Sequence, residues 1–454
     1  MLKKDDPKVV RAWAFYDWAN SVYPLVITST IFPIYYLSVT KTNDSNFVDF
    51  LGIRFENSAL LTYALSFAYL IIAAIAPLLS GIADFSGNKK RFMQFFCYLG
   101  SLSCAFMYFF TGVDVLWLGI LLIILSCIGY AGSIVFYNAY LPEIASDEKQ
   151  DHVSARGFAM GYIGSSILLV MNLILVMKPE WFFAVDAKMK SLMAASPDLK
   201  SADALDLAKK SFAGIASRIG FLGEGLWWIA FAQITFYHLP NNVYGKKPQG
   251  NYFFKGYQEL AKVWKEMKKT PRLTKYLTAF FIYSMGVQTV MMVATLFGSN
   301  TLKLEQGQLI ITILVIQFVA VAGAYLFSTL SKTQGNIRTL KVAVLIWIGV
   351  CIGAYFVQTA VEFFILAAVV GLVMGGIQSL SRSTYSKMLP ETNDHASFFS
   401  FYDVCEKLGI VIGTALFASI TQMTADMRNA VVSLIGIFAV GFVLLLRVPK
   451  IKEK

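Results

Sequence analysis

In a chain of 454 residues, 57% are hydrophobic and 15% charged, and the mean hydropathy is +0.60. Soluble domains are about one-quarter charged, so this composition excludes a soluble globular protein. The formal net charge of +11 does not point to a nucleic-acid partner, because the lysines and arginines cluster in particular loops, as topology signals do. Cys97, Cys104, Cys127, Cys351 and Cys405 lie inside apolar runs with no CxxC pair, and three histidines do not readily build a metal centre. Neither disulfide, metal nor cofactor is therefore expected.

A spanning helix needs about 20 mostly apolar residues. Twelve stretches qualify: residues 12–38, 57–82, 92–112, 115–140, 154–177, 218–239, 273–298, 306–330, 340–359, 362–388, 398–422 and 428–447. The expected fold is an all-α membrane protein of twelve helices in two pseudo-symmetric six-helix bundles, residues 1–239 and 273–454, joined by a basic linker, 240–272. Basic residues sit in the N-terminal lead-in (Lys3, Lys4, Lys8, Arg11), the second loop (Lys89, Lys90, Arg91), the middle loop 240–275 (nine, from Lys246 and Lys247 to Lys275) and the tail (Arg447, Lys450, Lys452, Lys454). By the positive-inside rule both termini and the linker are cytoplasmic, and the lead-in reads as the approach to a first membrane helix, not a removable signal.

The first helix carries Trp13, Asp17, Asn20, Pro24 and Thr28 at near-helical spacing. A carboxylate two turns inside a span is costly unless paired or hydrated, so Asp17 either lines a polar cavity or pairs Arg11 or a later arginine. Tyr23 joins it as a candidate solute contact, and Pro24 and Pro33 should bend the helix. After the second helix comes GIADFSGNKKR, Gly81 to Arg91. Gly87 suits a tight turn, and Asp84 can pair with basic residues or cap a neighbouring helix. Asp84, Gly87, Lys90 and Arg91 are gating candidates.

Helix four offers Tyr130, Ser133, Tyr137 and Asn138, helix seven Ser284, Gln288 and Thr295, and helix ten Gln378, Ser381, Arg382 and Tyr385. Their helical recurrence reads as a polar path lined by helices one, four, seven and ten. Helix five opens with Arg156 and carries Gly157, Gly161 and Gly164 for close packing. Helix eleven opens with Asp403, Glu406 and Lys407, of which Asp403 and Lys407 are four apart and can pair. Arg156 and Arg382 are expected to face Asp17, Asp403 and Glu406 near the cytoplasmic gate. Helix six carries Glu224 towards its outer end. Residues 179–217 form an extracytoplasmic insertion with a short helix from Ser201, a candidate N-cap, to Phe212. In the linker, residues 257–267 read as a surface helix, either lying on the inner leaflet or only joining the halves.

Two marks recur 248 residues apart: Asp84, Gly87 and Lys90 correspond to Lys332, Gly335 and Arg338, and Leu141-Pro142-Glu143 to Leu389-Pro390-Glu391. A duplicated apolar half is a common plan for secondary transporters. Asp84 becomes Lys332, so the two latches cannot use the same ion pairs.

The loop GIADFSGNKKR resembles the signature of the major facilitator superfamily. With it, FYDWANSVYPLVITSTIFPIYY, FYNAYLPEIA, VSARGFAMGYIGSS and YSMGVQTVMMVATLFGS resemble bacterial relatives of the vacuolar amino-acid effluxers linked to autophagy. The resemblance implies a permease for an amino acid or similar small polar solute, working by alternating access in a bacterial plasma membrane. It also implies an acidic residue at the place held here by Met285, which throws the coupling role onto Asp17. The expected partners are the solute, a coupling proton or cation and membrane lipid, with the chain acting as a monomer. A non-transporting receptor on the same fold is the alternative. A lipid-modifying enzyme is disfavoured, since no DDxxD, HExxH or Walker loop stands out.

Overall fold

The computed structural model describes residues 3–41, 45–196, 199–241, 244–245, 252–424 and 426–449. Of the basic residues used for orientation, Lys246, Lys247, Lys450, Lys452 and Lys454 lie outside them. Twelve described helical spans are long and apolar enough to cross a membrane. They are α1 Pro7–Thr40, α2 Asn57–Ser86, α3 Lys89–Phe109, α4 Val113–Ile144, α5 Asp147–Met177, α6 Ser201–His238, α7 Pro271–Asn300, α8 Gly307–Gln334, α9 Asn336–Phe356, α10 Ala360–Lys387, α11 His395–Thr424 and α12 Met427–Leu446. An even number of spans returns both termini to one side, called here the termini side.

Within the first half α1 packs on α5 and α6, and α3 on α4; within the second, α8 packs on α10, and α7 on α11 and α12. The halves meet along two seams, α2 against α11 and α5 against α8 and α10. The duplication reaches the backbone. Gly87 ends α2 at φ 70° and Gly335 ends α8 at φ 81°, both in the left-handed range that favours glycine.

Three local features depart from the sequence reading. A β-hairpin, β1 Phe47–Phe50 paired antiparallel with β2 Ile53–Glu56, sits between α1 and α2. It turns on Leu51 and Gly52, both at positive φ, in a stretch too short to show against the helical pattern. Ser201 is not an N-cap: Lys200 holds that place without a side-chain cap, and Ser201 opens a continuous 38-residue helix. At 1.5 Å per residue that helix is about 57 Å long, against a hydrocarbon core of about 30 Å, so its first turns stand clear of the membrane. The helix Val185–Ala195 packs beside them, and Phe183 stacks on Phe212 at 5.2 Å. The expected linker helix is present and longer, Tyr252–Lys269. It buries Gly256, Val263 and Met267 against α2 and the start of α11, with Gly256 against Gly81 backbone to backbone.

The expected bend in α1 is a change of helix type. Pro7–Asn20 is α-helical, Tyr23–Thr28 is π-helical and Ile31–Thr40 is α-helical again. Pro24 lacks the N–H an α-helix would use. The carbonyls freed by the break are taken up locally: Pro24 O accepts from Thr28 Oγ1 and Ser29 Oγ, both at 2.7 Å, and Leu25 O accepts from Thr30 Oγ1 at 2.6 Å. Such hydroxyl repair is what makes a broken helix tolerable inside a bilayer.

A charged cavity between the two bundles

A cavity of about 230 Å3 lies between the halves. Eight spans contribute to it: Asp17 from α1, Tyr69 from α2, Tyr130 from α4, Tyr162 from α5, Gln288 from α7, Gln317 from α8, Gln378 from α10 and Glu406 from α11. It starts at Asp17, Asn138 and Arg382 and runs away from the termini side past Thr28, Ser29 and Met292.

Its floor is an ion pair that joins the bundles. Asp17 and Arg382 are 4% and 3% exposed, and both terminal nitrogens of Arg382 stand 3.3 Å from Asp17 Oδ2. The same oxygen accepts from Tyr137 Oη at 2.7 Å. Arg382 Nε donates to Ser154 Oγ at 2.9 Å, its NH2 to Ser154 O at 2.9 Å and its NH1 to Asn138 Oδ1 at 3.3 Å. Its guanidinium lies over the rings of Phe158 and Trp13, 4.2 and 4.9 Å from their centroids. A buried charge is tolerable only when paired and hydrogen-bonded, and Arg382 is supplied on every side. Gly157 makes the room: a Cβ there would lie 2.4 Å from Asp17 Oδ2 and 3.0 Å from both Arg382 NH2 and Tyr137 Oη.

A second cluster lies on α11. Lys407 Nζ stands 2.9 Å from Glu406 Oε2 and 3.3 Å from Asp403 Oδ1, and Glu406 Oε1 accepts from Gln288 Nε2 at 2.9 Å. Tyr162 Oη donates to Gln378 Oε1 at 2.6 Å across the seam.

Below the floor, three polar clusters hold the termini side shut. Asp84 accepts from the backbone N–H groups of Ala396 and Ser397 at 3.2 and 2.7 Å, capping the start of α11. Glu143 pairs with Lys89 and, at 3.1 Å, with His395 Nδ1. Asp151 at the start of α5 accepts from Ser331 Oγ and Asn336 Nδ2, each at 2.8 Å, and pairs with Lys387 at 2.6 Å. The Asp84 and Asp151 clusters occupy corresponding ends of the duplicated halves with different chemistry, since Lys332 points to solvent. The linker adds a tie, Lys262 to Asp394 at 2.8 Å, and that hydrogen bond holds the Lys262 ammonium above the usual lysine range. Among the described residues, every hydrogen bond between the bundles lies at the Tyr162–Gln378 level or closer to the termini. The structure is therefore closed on the termini side, with its cavity on the other.

The sequence candidates divide accordingly. Asp17, Asn138, Gln288, Gln378, Arg382, Glu406 and Lys407 line the cavity; Tyr137 lies under it, holding Asp17. Tyr23 points into the first bundle, stacked on Tyr130, and Asn20 is buried with its Nδ2 unpartnered among the described residues; neither reaches the cavity. At about 100° per residue, positions three and six beyond Asp17 fall about 60° and 120° off its face, which turns Asn20 and Tyr23 out of the cavity. Arg156 does not face the carboxylates: it makes no ion pair among the described residues, because Ser154, two residues away, points to Arg382 instead. Lys90 donates to Leu239 O at 2.8 Å, tying α3 to the end of α6 within one bundle, and Arg91 is exposed. Glu224 is fully buried in the first bundle beside Cys104, away from the cavity. Met285 packs on Gly409 and Gly413 of α11. Sequence reasoning did not identify Glu143, Asp151 and His395 as latch residues, although Glu143 stood in the repeated Leu-Pro-Glu mark.

The family described as Vacuole effluxer Atg22 like matches residues 5–195 and 205–454. The chain belongs to this family. A Bacillus subtilis member described as an uncharacterized MFS-type transporter, YxiO, is 32% identical over 451 residues, covering 99% of this chain and 96% of that one. Autophagy-related protein 22 of Cryptococcus neoformans is 23% identical, with 97% and 95% coverage. Among solved structures, the major facilitator superfamily transporter FucP in its outward conformation superposes with a TM-score of 0.69 at 13% identity, covering 98% and 99% of the chains. The proton:xylose symporter XylE gives 0.68 at 12%, covering 97% and 95%. This member of the Atg22-like family is thus a multi-pass membrane transporter with the major facilitator fold, and its relatives are transporters and not enzymes.

Proposed function

We propose that the protein moves a small zwitterionic solute of the amino-acid class across a bacterial plasma membrane by alternating access, with both termini cytoplasmic. The observation that carries this reading is the pairing of opposite charges at the cavity floor and wall, Arg382 with Asp17 and Lys407 with Glu406. A solute carrying both an ammonium and a carboxylate can exchange ion pairs with these groups without leaving a buried charge bare. Tyr69, Tyr130, Phe158, Tyr162 and Tyr402 supply amphipathic walls for an aliphatic or aromatic side chain. The Atg22-like membership and the cytoplasmic loading of Lys and Arg support the solute class and the orientation respectively.

The test is a thermal-shift screen of purified protein against amino acids, sugars and dicarboxylates. A ligand that binds the folded state raises its melting temperature by mass action. Stabilisation by zwitterionic amino acids, absent in Arg382→Gln, is the expected result; stabilisation by sugars alone contradicts the reading.

A further inference from the structure

The two charged clusters of the cavity differ in their balance. Asp17 meets Arg382 one for one, and its Oδ2 is fully engaged by Tyr137 and Arg382. On α11 two carboxylates, Asp403 and Glu406, share a single ammonium, Lys407. The two acids are not equivalent. Both oxygens of Glu406 have partners, Gln288 and Lys407, and its side chain is 23% exposed. Asp403 is 1% exposed, and neither of its oxygens accepts a hydrogen bond among the described residues.

Among the described residues, Lys407 is the one cation whose charge acts directly on Asp403. The groups that feel its charge are Cys127 and Tyr130 of α4 and Tyr402, Cys405, Glu406 and Lys407 of its own helix. Tyr69 of α2 faces Lys407, and Arg382 of α10 is committed to Asp17. A carboxylate so enclosed and left over by the charge count is expensive, whereas a carboxylic acid is not.

We propose that Asp403 is the proton-binding group of this transporter and holds a proton in the closed-to-termini state. Asp403 sits on α11, whose start is held to α2 by Asp84. When that seam opens on the termini side, water reaches the carboxyl. The O–H bond then breaks, the proton passes to water, and the carboxylate that remains competes with Glu406 for Lys407. Resting on the solute reading above, the count also gives the sign of coupling. With Asp403 protonated, the α11 cluster is neutral and Lys407 can accept a solute carboxylate; with Asp403 ionised the cluster is negative and repels it. Proton and solute therefore bind together.

The experiment is infrared spectroscopy of the purified, unliganded protein through a pH titration, reading the C=O stretch of protonated carboxyl groups. Wild type should show a component that Asp403→Asn removes and that Glu224→Gln, which alters a buried carboxyl outside the cavity, leaves in place. Glu406→Gln is the sharper arm and guards against a misfolded Asp403→Asn. With Glu406 neutral, Asp403 matches Lys407 one for one, so the component should vanish at neutral pH although Asp403 is still present. A wild-type spectrum from which Asp403→Asn removes no component, and Glu406→Gln none at neutral pH, overturns the proposal. No solute is present, so the result stands apart from whether amino acids are carried.

Discussion

Asp17 and Arg382 lie 365 positions apart in the chain and meet at 3.3 Å, so the floor of the cavity is also a bond between the two bundles. The pair has to break, or to be exchanged for solute contacts, before the bundles can rock about it. Breaking a buried pair by removing one partner costs about 3–5 kcal/mol, much of it the penalty on the charge left behind. Arg382→Gln is therefore expected to lower stability by about that amount, and Asp17→Asn with Arg382→Gln by clearly less than the sum of the single changes. Denaturation of the four proteins in a double-mutant cycle checks this; additive losses would show the two groups to be uncoupled.

Gly157 carries a separate prediction. A Cβ at this position would stand 2.4 Å from Asp17 Oδ2, and overpacking of this kind costs about 1–3 kcal/mol. Gly157→Ala should lower the melting temperature and impair ligand-induced stabilisation, since Asp17 must swing out of reach of Tyr137. Gly223→Ala, where a Cβ meets nothing within 4 Å, is the control: it should not lower the melting temperature, since Ala suits a helix interior better than Gly, and should leave ligand-induced stabilisation unchanged.

The Asp84 cap biases the conformational equilibrium. Losing a side-chain cap costs about 1 kcal/mol, and here the capped helix belongs to the other bundle, so the loss falls on the closed state alone. Asp84→Ala should shift the population towards the state open on the termini side. Spin labels at exposed Arg91 and Glu391 would report a longer distance between the bundles; an unchanged distance distribution would show that Asp84 has no part in the latch.

Asp5 supplies a pH-dependent stability term. Burial raises its pKa, but the N–H of Ser146, with Oδ1 at 3.0 Å, and the charge of Lys149 outweigh that and hold it below its ordinary value of 3.8. A depressed carboxylate pKa stabilises the fold above the unfolded value and loses that contribution as pH falls through the folded one. Asp5→Asn should therefore melt below wild type at pH 7, with the difference closing as the pH falls below 3.8. A difference that grows towards low pH would contradict the assignment.

The spans, their number and the duplicated plan were legible because a bilayer imposes a strong one-dimensional signal, twenty apolar residues at a time. Polar groups inside that signal were equally visible, so Asp17, Gln288, Gln378 and Arg382 stood out. Partner choice was not legible, because it depends on the face each residue takes once the helices are packed. Asn20 and Tyr23, three and six positions beyond Asp17 on α1, turn about 60° and 120° off its face and pack into the first bundle. Arg156 and Arg382 were indistinguishable as cations until the helix phase set Ser154, and not Arg156, towards the seam. Glu143 stood in the sequence only as part of a repeated mark and His395 carried no signal, since their pairing joins positions 252 apart. The short hairpin at Phe47–Glu56 was hidden among apolar residues that suit either a strand or a helix end.

The central claim is that a zwitterionic solute exchanges ion pairs with Arg382 and Lys407 and is carried across. Counterflow in proteoliposomes loaded with unlabelled amino acids tests it directly, with labelled amino acids added outside. Transient accumulation of label by wild type, lost in Arg382→Gln and in Lys407→Gln, is the predicted result. Amino-acid binding to wild type with no movement of label would contradict transport, and full counterflow in Arg382→Gln would contradict the ion-pair exchange on which the account rests.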